Sequence, residues 1–497
     1  MATSLADILA QARSGALETA WATFLSSGHA ERRDDPDALT LKGRLLKDRA
    51  RRQSGAARAR LYAAAGEAYA AAAALHPATY PLINAASLAF LAGDPDKARA
   101  LAGDVLALIA GGAHEPETAY WLAATRAEAL LLLGRRREAE DALAEAVVKA
   151  PDAWEDHAAT LRQFAAILEA QAADAAWLAP YRPPPSLHFS GMMGLDGEDR
   201  AAREAIAEVL ATERPGFAYG ALAAGADIVI AELLRERGVR LHIVLPCPVA
   251  AFAAVSVAPF GARWMPRFES LLADAETVEI LGEAEAPLPA AIRLADEVAM
   301  GMALANARLL ESTALALRVD DGDAEGGSSD LWRAAGQRLI ALRARRAVPA
   351  PLRAPAETLD LGALLGILGA APPRMSLPAP APAWRIRLHE GTVYAYASPA
   401  AAAAAGLELA AGEGGRRLAL DYTLFGRVDG DGMQLERVLA IAAAARPEGL
   451  LASRPAALAL GLHAPDLHSE PLGEIRTGRG PVEVAGLYPA ATGQADR

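Results

Sequence analysis

Near the middle of the chain, "LHFSGMMG" sets a serine and two glycines at the end of an apolar run; about thirty residues later "GALAAGADIVIAELL" adds two more glycines and two carboxylates. These residue types in this order suit a bound phosphate or ribose. Glycines let backbone amides approach an anion, and a helix that begins just after a glycine turn adds the positive end of its dipole. Ser190, Gly191, Met192 and Gly194 follow the first run, Gly220 and Gly225 fall in the second turn, and Pro246 closes the later apolar run "RLHIVLP". Together they predict one crevice at the ends of three neighbouring strands. The pattern is neither the GxGxxG dinucleotide fingerprint nor a Walker loop.

The charged residues near this crevice admit more than one chemistry. Asp227, in the first turn of the helix "ADIVIAELL", either caps that helix or accepts a hydrogen bond from a ribose hydroxyl. Glu232 lies in an apolar stretch, where an ionised carboxylate needs a partner. Arg263 and Arg267 in "GARWMPRFE" supply that partner, pair with phosphate, or sit on a solvated helix face. The nine histidines form no spaced cluster, and His463, Asp466 and His468 in "HAPDLH" read as a surface loop rather than a metal site. No GxSxG elbow or other nucleophile motif is present. The single cysteine, Cys247, excludes an internal disulfide and reads as a small buried residue at a strand end.

The elements that must position these residues follow from periodicity. Residues 1–180 read as amphipathic helices. Within them, "NAASLAFLAGDPDKARALAGDVLAL" and "TRAEALLLLGRRREAEDALAEAVVK" repeat a helix–turn–helix around Gly93 and Gly134, a spacing of about forty residues. Such hairpins cannot bury their apolar faces singly, so they stack into an α-helical solenoid. Over 185–345, the runs "LHFSG", "RLHIVLP", "ETVEIL" and "STALALRV" alternate with helices, which predicts a Rossmann-like parallel sheet with helices on both faces. Residues 347–383 read as a Pro/Ala-rich linker holding one short apolar stretch, and 384–490 as a smaller α+β module. The expected fold class is thus multi-domain, α followed by α/β and α+β.

Composition narrows the partners. The 497-residue chain is 53% hydrophobic with a formal charge of −12, which supplies several cores and argues against a nucleic-acid polymer as partner. No uninterrupted apolar run reaches the length of a membrane span, and "MATSLADILAQARSG" lacks the pattern of a secretory leader, so a cytoplasmic location is expected.

Three resemblances sharpen these expectations. "LKGRLLKD" and "TYPLINAASLAFLAGD" resemble the tetratricopeptide-type domain, also called TRAF-binding-type, found in some eukaryotic stress kinases and in bacterial signalling proteins; this implies a protein partner on the repeats. "HFSGMM", "GALAAGADIVIAELLRERGVRLHIVLP", "SVAPFGARWMPRFESLLADA" and "SSDLWRAAG" resemble the SLOG superfamily, which includes the DNA-uptake protein DprA and the LOG phosphoribohydrolases. That resemblance implies a nucleotide-type ligand at Ser190, Gly191, Gly220, Gly225 and Asp227, with Glu232 further along the same helix. The LOG enzymes share a "PGGxGTxxE" loop, whereas this chain has "AAGADIVIAE", which implies binding rather than hydrolysis.

Finally, "EGTVYAYASPAAAAAAGLELAA" and "GDGMQLERVLAIAAAARPEGLLASRPAALAL" resemble the latter part of a class III adenylyl/guanylyl cyclase domain. Those enzymes hold magnesium on two aspartates and use an Asn–Arg pair. Here Thr392 stands for the second aspartate and Met433 for the asparagine before Arg437, and the strand of the first aspartate has no counterpart. Asp429 and Asp431 in "VDGDG" read as loop residues. The sequence therefore predicts a non-catalytic nucleotide-sensing signalling protein with no metal site and no cofactor beyond a nucleotide-type ligand, with self-association or pairing with a complete cyclase as further partners. A nucleotide glycosidase using Asp227 or Glu232, and a pure scaffold, are the alternatives.

Overall fold

The computed structural model describes residues 3–13, 16–112, 114–322, 327–348, 359–369, 380–412, 416–426, 432–446, 449–478 and 480–488. The chain forms two compact units, one essentially Met1–Pro183 and the other Pro184–Ser469 with Gly473–Pro489.

The first unit is helical: α1 (Leu5–Arg13), α2 (Leu17–Ser26), α3 (Pro36–Arg51), α4 (Gly55–Leu75), α5 (Thr79–Leu91), α6 (Pro95–Gly111), α7 (Ala119–Leu132), α8 (Arg136–Lys149) and α9 (Trp154–Ala170). The forty-residue sequence period has a structural counterpart at its glycines. Gly93 and Gly134 both take positive φ, +94° and +74°. At each, the glycine N–H and the next N–H turn back onto the preceding helix: Gly93 to Phe90 and Asp94 to Ala89, then Gly134 to Leu131 and Arg135 to Leu130. This is the left-handed helix ending that glycine alone adopts without strain. Small residues then set the spacing between helices. A Cβ on Gly43 would stand 2.6 Å from the Tyr69 ring, so α3 and α4 close on one another only because that Cβ is missing.

The second unit opens with β1 (Ser186–Gly191), α10 (Arg200–Glu213), β2 (Phe217–Gly220), α11 (Ala226–Arg235), β3 (Arg240–Leu245), α12 (Val249–Ser256), α13 (Trp264–Asp274), β4 (Thr277–Ile280), α14 (Pro289–Leu309), β5 (Ala314–Asp320), α15 (Ser328–Ala334) and β6 (Arg338–Arg343). Six parallel strands lie in the order β4-β3-β2-β1-β5-β6. Strand order reverses at β1, which is flanked by β2 and β5. The helices divide between the two faces, α10, α11 and α13 packing together and α14 with α15. The parallel-sheet expectation for this stretch holds, but β2 and β6 were not legible: "FAYG" has glycine on both sides and reads as a turn.

A second sheet follows, from β7 (Leu359–Leu368), β8 (Trp384–Arg387), β9 (Gly391–Tyr396), α16 (Pro399–Ala411), β10 (Arg417–Gly426), α17 (Gly432–Ala444), β11 (Gly449–Ser453), α18 (Arg454–His463), β12 (His468–Thr477) and β13 (Gly480–Tyr488). Its order is β12-β13-β11-β10-β7-β9-β8, with β10 parallel to β11 and the remaining described pairs antiparallel. The expected linker at 347–383 is corrected here, because β7 lies inside it and at the middle of this sheet. Ala363, Leu364 and Leu365 in succession are fully buried. A strand covered on both faces shows no alternation, so its sequence does not announce it.

The helix α14 serves both sheets. It packs on β1, β2 and β3 and also against α18, β7 and β10. A Cβ on Gly301 would stand 2.4 Å from the Leu458 carbonyl oxygen of α18. Between the sheets, Glu297 of α14 is 4% exposed and accepts hydrogen bonds from the Tyr422 hydroxyl and His463 Nε2, both at 2.9 Å. Among the described residues no helix is long and apolar enough to cross a membrane.

Candidate functional site

The glycines of the predicted crevice prove to be places where backbones meet. A Cβ on Gly191 would lie 2.4 Å from the Ala226 Cβ, and one on Gly220 would lie 2.4 Å from the Phe189 carbonyl oxygen. Gly225 has φ +130° and ψ −125°, a conformation closed to other residues, and a Cβ there would stand 2.6 Å from the Met192 carbonyl oxygen. These absences let the loop after β1 lie directly on the start of α11. Met192 N–H donates to Val319 at 2.8 Å, Gly194 N–H to Ala224 at 2.9 Å, and Ala226 N–H to Met192 at 3.1 Å. The first amide of α11 is thus satisfied by the protein itself. The Met192 side chain turns into the hydrophobic core, and Pro246 is buried beyond β3.

The loop is also held from the far end of the domain. Ala347 and Val348 both donate to the Gly194 carbonyl, at 2.8 and 3.1 Å, and Arg346 bridges the Met193 carbonyl at 2.8 Å to Asp321 at 2.9 Å.

The polar groups beside this loop carry the chemistry. Asp227 is 6% exposed; its Oδ2 accepts from the Ala223 N–H at 3.2 Å, while Oδ1 is buried with no hydrogen-bond partner among the described residues. Burial pushes this carboxyl up to about 8; the hydrogen bond from Ala223 N–H and the nearby Gly191 backbone oppose the shift, and the Asp296 charge adds to it. The group is therefore mostly protonated at neutral pH. On β1, residues 186, 188 and 190 share one face by the two-residue repeat of a strand. His188 is 1% exposed, with Nε2 2.8 Å from Asp296 Oδ1 on α14. Burial alone would raise Asp296, but His188 beside it, with Ser328 and Arg318, brings it below the usual carboxylate value. Ser190 is in register with Arg318 of β5, which pairs with Asp320 at 2.9 Å and donates to Ser329 Oγ at 2.5 Å.

Sequence reasoning missed His188, Asp296, Arg318 and Ser329. The histidine had a findable signal, two residues before Ser190 on a strand. The others come from α14, β5 and α15, more than one hundred residues away, and nothing local announces them.

Glu232 belongs elsewhere. It lies five residues beyond Asp227, which at 100° per residue sets the two about 140° apart around α11. Its oxygens receive Arg267 Nε at 2.7 Å and Nη2 at 2.6 Å, with Arg203 at 3.4 Å. The Arg267 guanidinium lies 4.3 Å from the Trp264 ring centroid. Arg263 pairs with Asp196 at 2.6 Å and stands over the same ring. Of the three readings of these arginines, Arg267 takes the first, as the partner of Glu232, whereas Arg263 pairs with the half-exposed Asp196 instead. Cys247 is fully buried, and burial pushes its thiol up to about 11, which makes it unreactive near neutral pH.

In the second sheet, Thr392 is buried with its hydroxyl unpartnered among the described residues, and Arg437 stands 3.4 Å from the fully buried Asp421. β7 supplies a strand where none was expected, with Asp360 as its carboxylate. Asp429 and Asp431 fall outside the described residues, as does the Met433 side chain. With Thr392 in place of a carboxylate, the residues do not fit a two-aspartate magnesium site. The "HAPDLH" histidines point elsewhere, His463 to Glu297 and His468 against Tyr488.

Residues 4–89 match the family described as Tetratricopeptide Repeats-Sensor. No curated protein matches the chain. The repeats carry a polar seam that the sequence hid, running through α3, α5, α7 and α9. Lys47 Nζ donates to Asn84 Oδ1 at 2.7 Å, Ser87 bonds to Glu128, and Arg51 donates to Gln163 at 3.3 Å. Burial lowers Lys47 and raises Glu128. Polar groups buried between helices need mutual partners, so the seam holds the repeats in register.

Proposed function

We propose that this chain is a non-catalytic sensor: a nucleotide-type ligand is taken up where the parallel sheet reverses between β1 and β5, and the helical repeats engage a protein partner. The observation that carries it is Asp227, a buried carboxyl with one unpartnered oxygen, at the C-terminal edge of the sheet beside the His188–Asp296 pair and Arg318. Open parallel sheets receive ligands at this reversal. Arg318 supplies a cation for phosphate, and Asp227, protonated, offers both a donor and an acceptor to a ribose edge. On this proposal the first sheet is a SLOG-like sensing domain and the second a cyclase-like module without metal carboxylates, serving regulation in a cytoplasmic signalling protein. The match of residues 4–89 to a sensor repeat supports the partner half.

Calorimetric titration of the full chain with mono-, cyclic and dinucleotides tests it. One nucleotide should saturate the native chain, with affinity at least tenfold weaker in Asp227→Ala. If no nucleotide saturates, or Asp227→Ala binds equally, the sensing role falls and a scaffold remains. A carboxyl held protonated near neutrality also suits a general acid, which favours the glycosidase as the second reading. Release of ribose phosphate from the bound nucleotide separates the two.

A further inference from the structure

A cavity of about 510 Å³ lies away from the crevice, where the first turn of α14 meets β7, β8, β9 and β10 of the second sheet. That size falls in the range of small-molecule sites, roughly 300–1,000 Å³. Three aromatic residues wall it: Trp384, Tyr396 and Phe425. Trp384 and Phe425 meet edge to face, 5.4 Å between centroids and 79° between planes, forming a corner for a flat ring. The Phe425 ring reaches this position because β7 has glycine beneath it; a Cβ on Gly362 would stand 2.6 Å from Phe425 Cε1.

The polar lining is sparse and directional. Arg293, half-exposed, sits in the wall with its Nη2 3.5 Å from the Leu361 carbonyl and its Nε 3.7 Å from Glu297. The twenty-one-residue α14 begins at the same wall with Pro289 in its first position and no side chain capping its amides. Tyr396 is 2% exposed, yet its hydroxyl has no hydrogen-bond partner among the described residues. Burial pushes that hydroxyl up to about 12, so it remains a donor throughout the physiological range. Asp360 is the acidic member of the lining.

We propose that this cavity is a second ligand site, which takes a small aromatic anion: a planar ring against Trp384 and Phe425, with a single carboxylate or phosphate monoester on Arg293 and the α14 amides. The lining holds one guanidinium, already 3.7 Å from Glu297, and the Asp360 carboxylate, too little positive charge for a polyphosphate, so a single anionic group with a hydrogen-bond donor for Asp360 fits. The site shares no residue with the β1/β5 crevice. It stands whether or not a nucleotide binds there.

The test uses the full chain and two probe sets, aromatic monocarboxylates (indole-3-carboxylate, 4-hydroxybenzoate) and the nucleoside monophosphates. Binding is read by calorimetry, with melting temperature as the check on folding. At least one probe should saturate one site, with affinity roughly ten- to a hundredfold weaker in Arg293→Gln, the range of a lost hydrogen bond to a charged group. Ala397→Phe, at an exposed lining position, should obstruct the cavity beside Trp384 and abolish binding while melting stays native. Asp227→Ala should leave the affinity unchanged. The probe set that responds names the anion, carboxylate or phosphate. The proposal is overturned if no probe saturates below about 1 mM, a weak but measurable affinity, or if binding survives both Arg293→Gln and Ala397→Phe. Binding lost in Asp227→Ala but kept in Ala397→Phe overturns it as well, because the ligand then occupies the crevice.

Discussion

Asp227→Asn should make the protein progressively more stable than the native chain as pH rises. In the folded state burial holds this carboxyl at about 8, against the usual aspartate value of 3.8 in the unfolded chain. Between these values the folded chain keeps a proton that the unfolded chain has released. Stability therefore falls as pH rises through this window, by about 1.4 kcal/mol per unit, and levels off above the folded value. From pH 5 to pH 8 the native chain should lose on the order of 4 kcal/mol that the variant does not lose. Asparagine keeps an acceptor for Ala223 N–H and cannot ionise; its extra N–H groups add a penalty of about 1–3 kcal/mol that does not vary with pH. The assay is urea denaturation of both chains at pH 5, 6, 7 and 8, followed by tryptophan fluorescence, because Trp264 and Trp332 are buried in the same unit. Titrating groups that do not interact with Asp227 cancel in the difference between the two, and Asp296, already ionised from pH 5 upward because its carboxyl is lowered, changes little. A constant difference across the range would mean that Asp227 ionises normally, and the buried protonated carboxyl at the crevice would have to be abandoned.

Two further outcomes follow from the same geometry. Glu232→Gln and Arg267→Gln should each destabilise by roughly 3 kcal/mol, the low end for a broken buried pair, since these side chains are 13% and 20% exposed. The double variant should fall well short of their sum. Nucleotide affinity should be unaffected, and additive losses below about 0.5 kcal/mol would refute the pairing. Gly225→Ala should lose roughly 3 kcal/mol or more from backbone strain plus the clash with Met192. Gly238→Ala, at φ +72° in open space, should lose only about 1 kcal/mol. Equal midpoints for these two in denaturant would show that the close approach at Gly225 is absent.

What the sequence determined by itself was short in range. The forty-residue helical repeat is legible because a left-handed helix ending needs glycine at Gly93 and Gly134, and each is set by its own neighbours. The strand ending at Gly191 and the helix after Gly225 were legible for the same reason. Tertiary structure decided the rest. β7 was hidden because burial on both faces erases the alternation that marks a strand. Glu232 became a structural ion pair because Arg267, thirty-five residues on, folds back over Trp264. Asp227 keeps its proton because the closed loop after β1 buries it, with Asp296 of α14 adding to the shift. A carboxylate's state depends on the water it loses and the charges it meets, and both are set by residues distant in the chain.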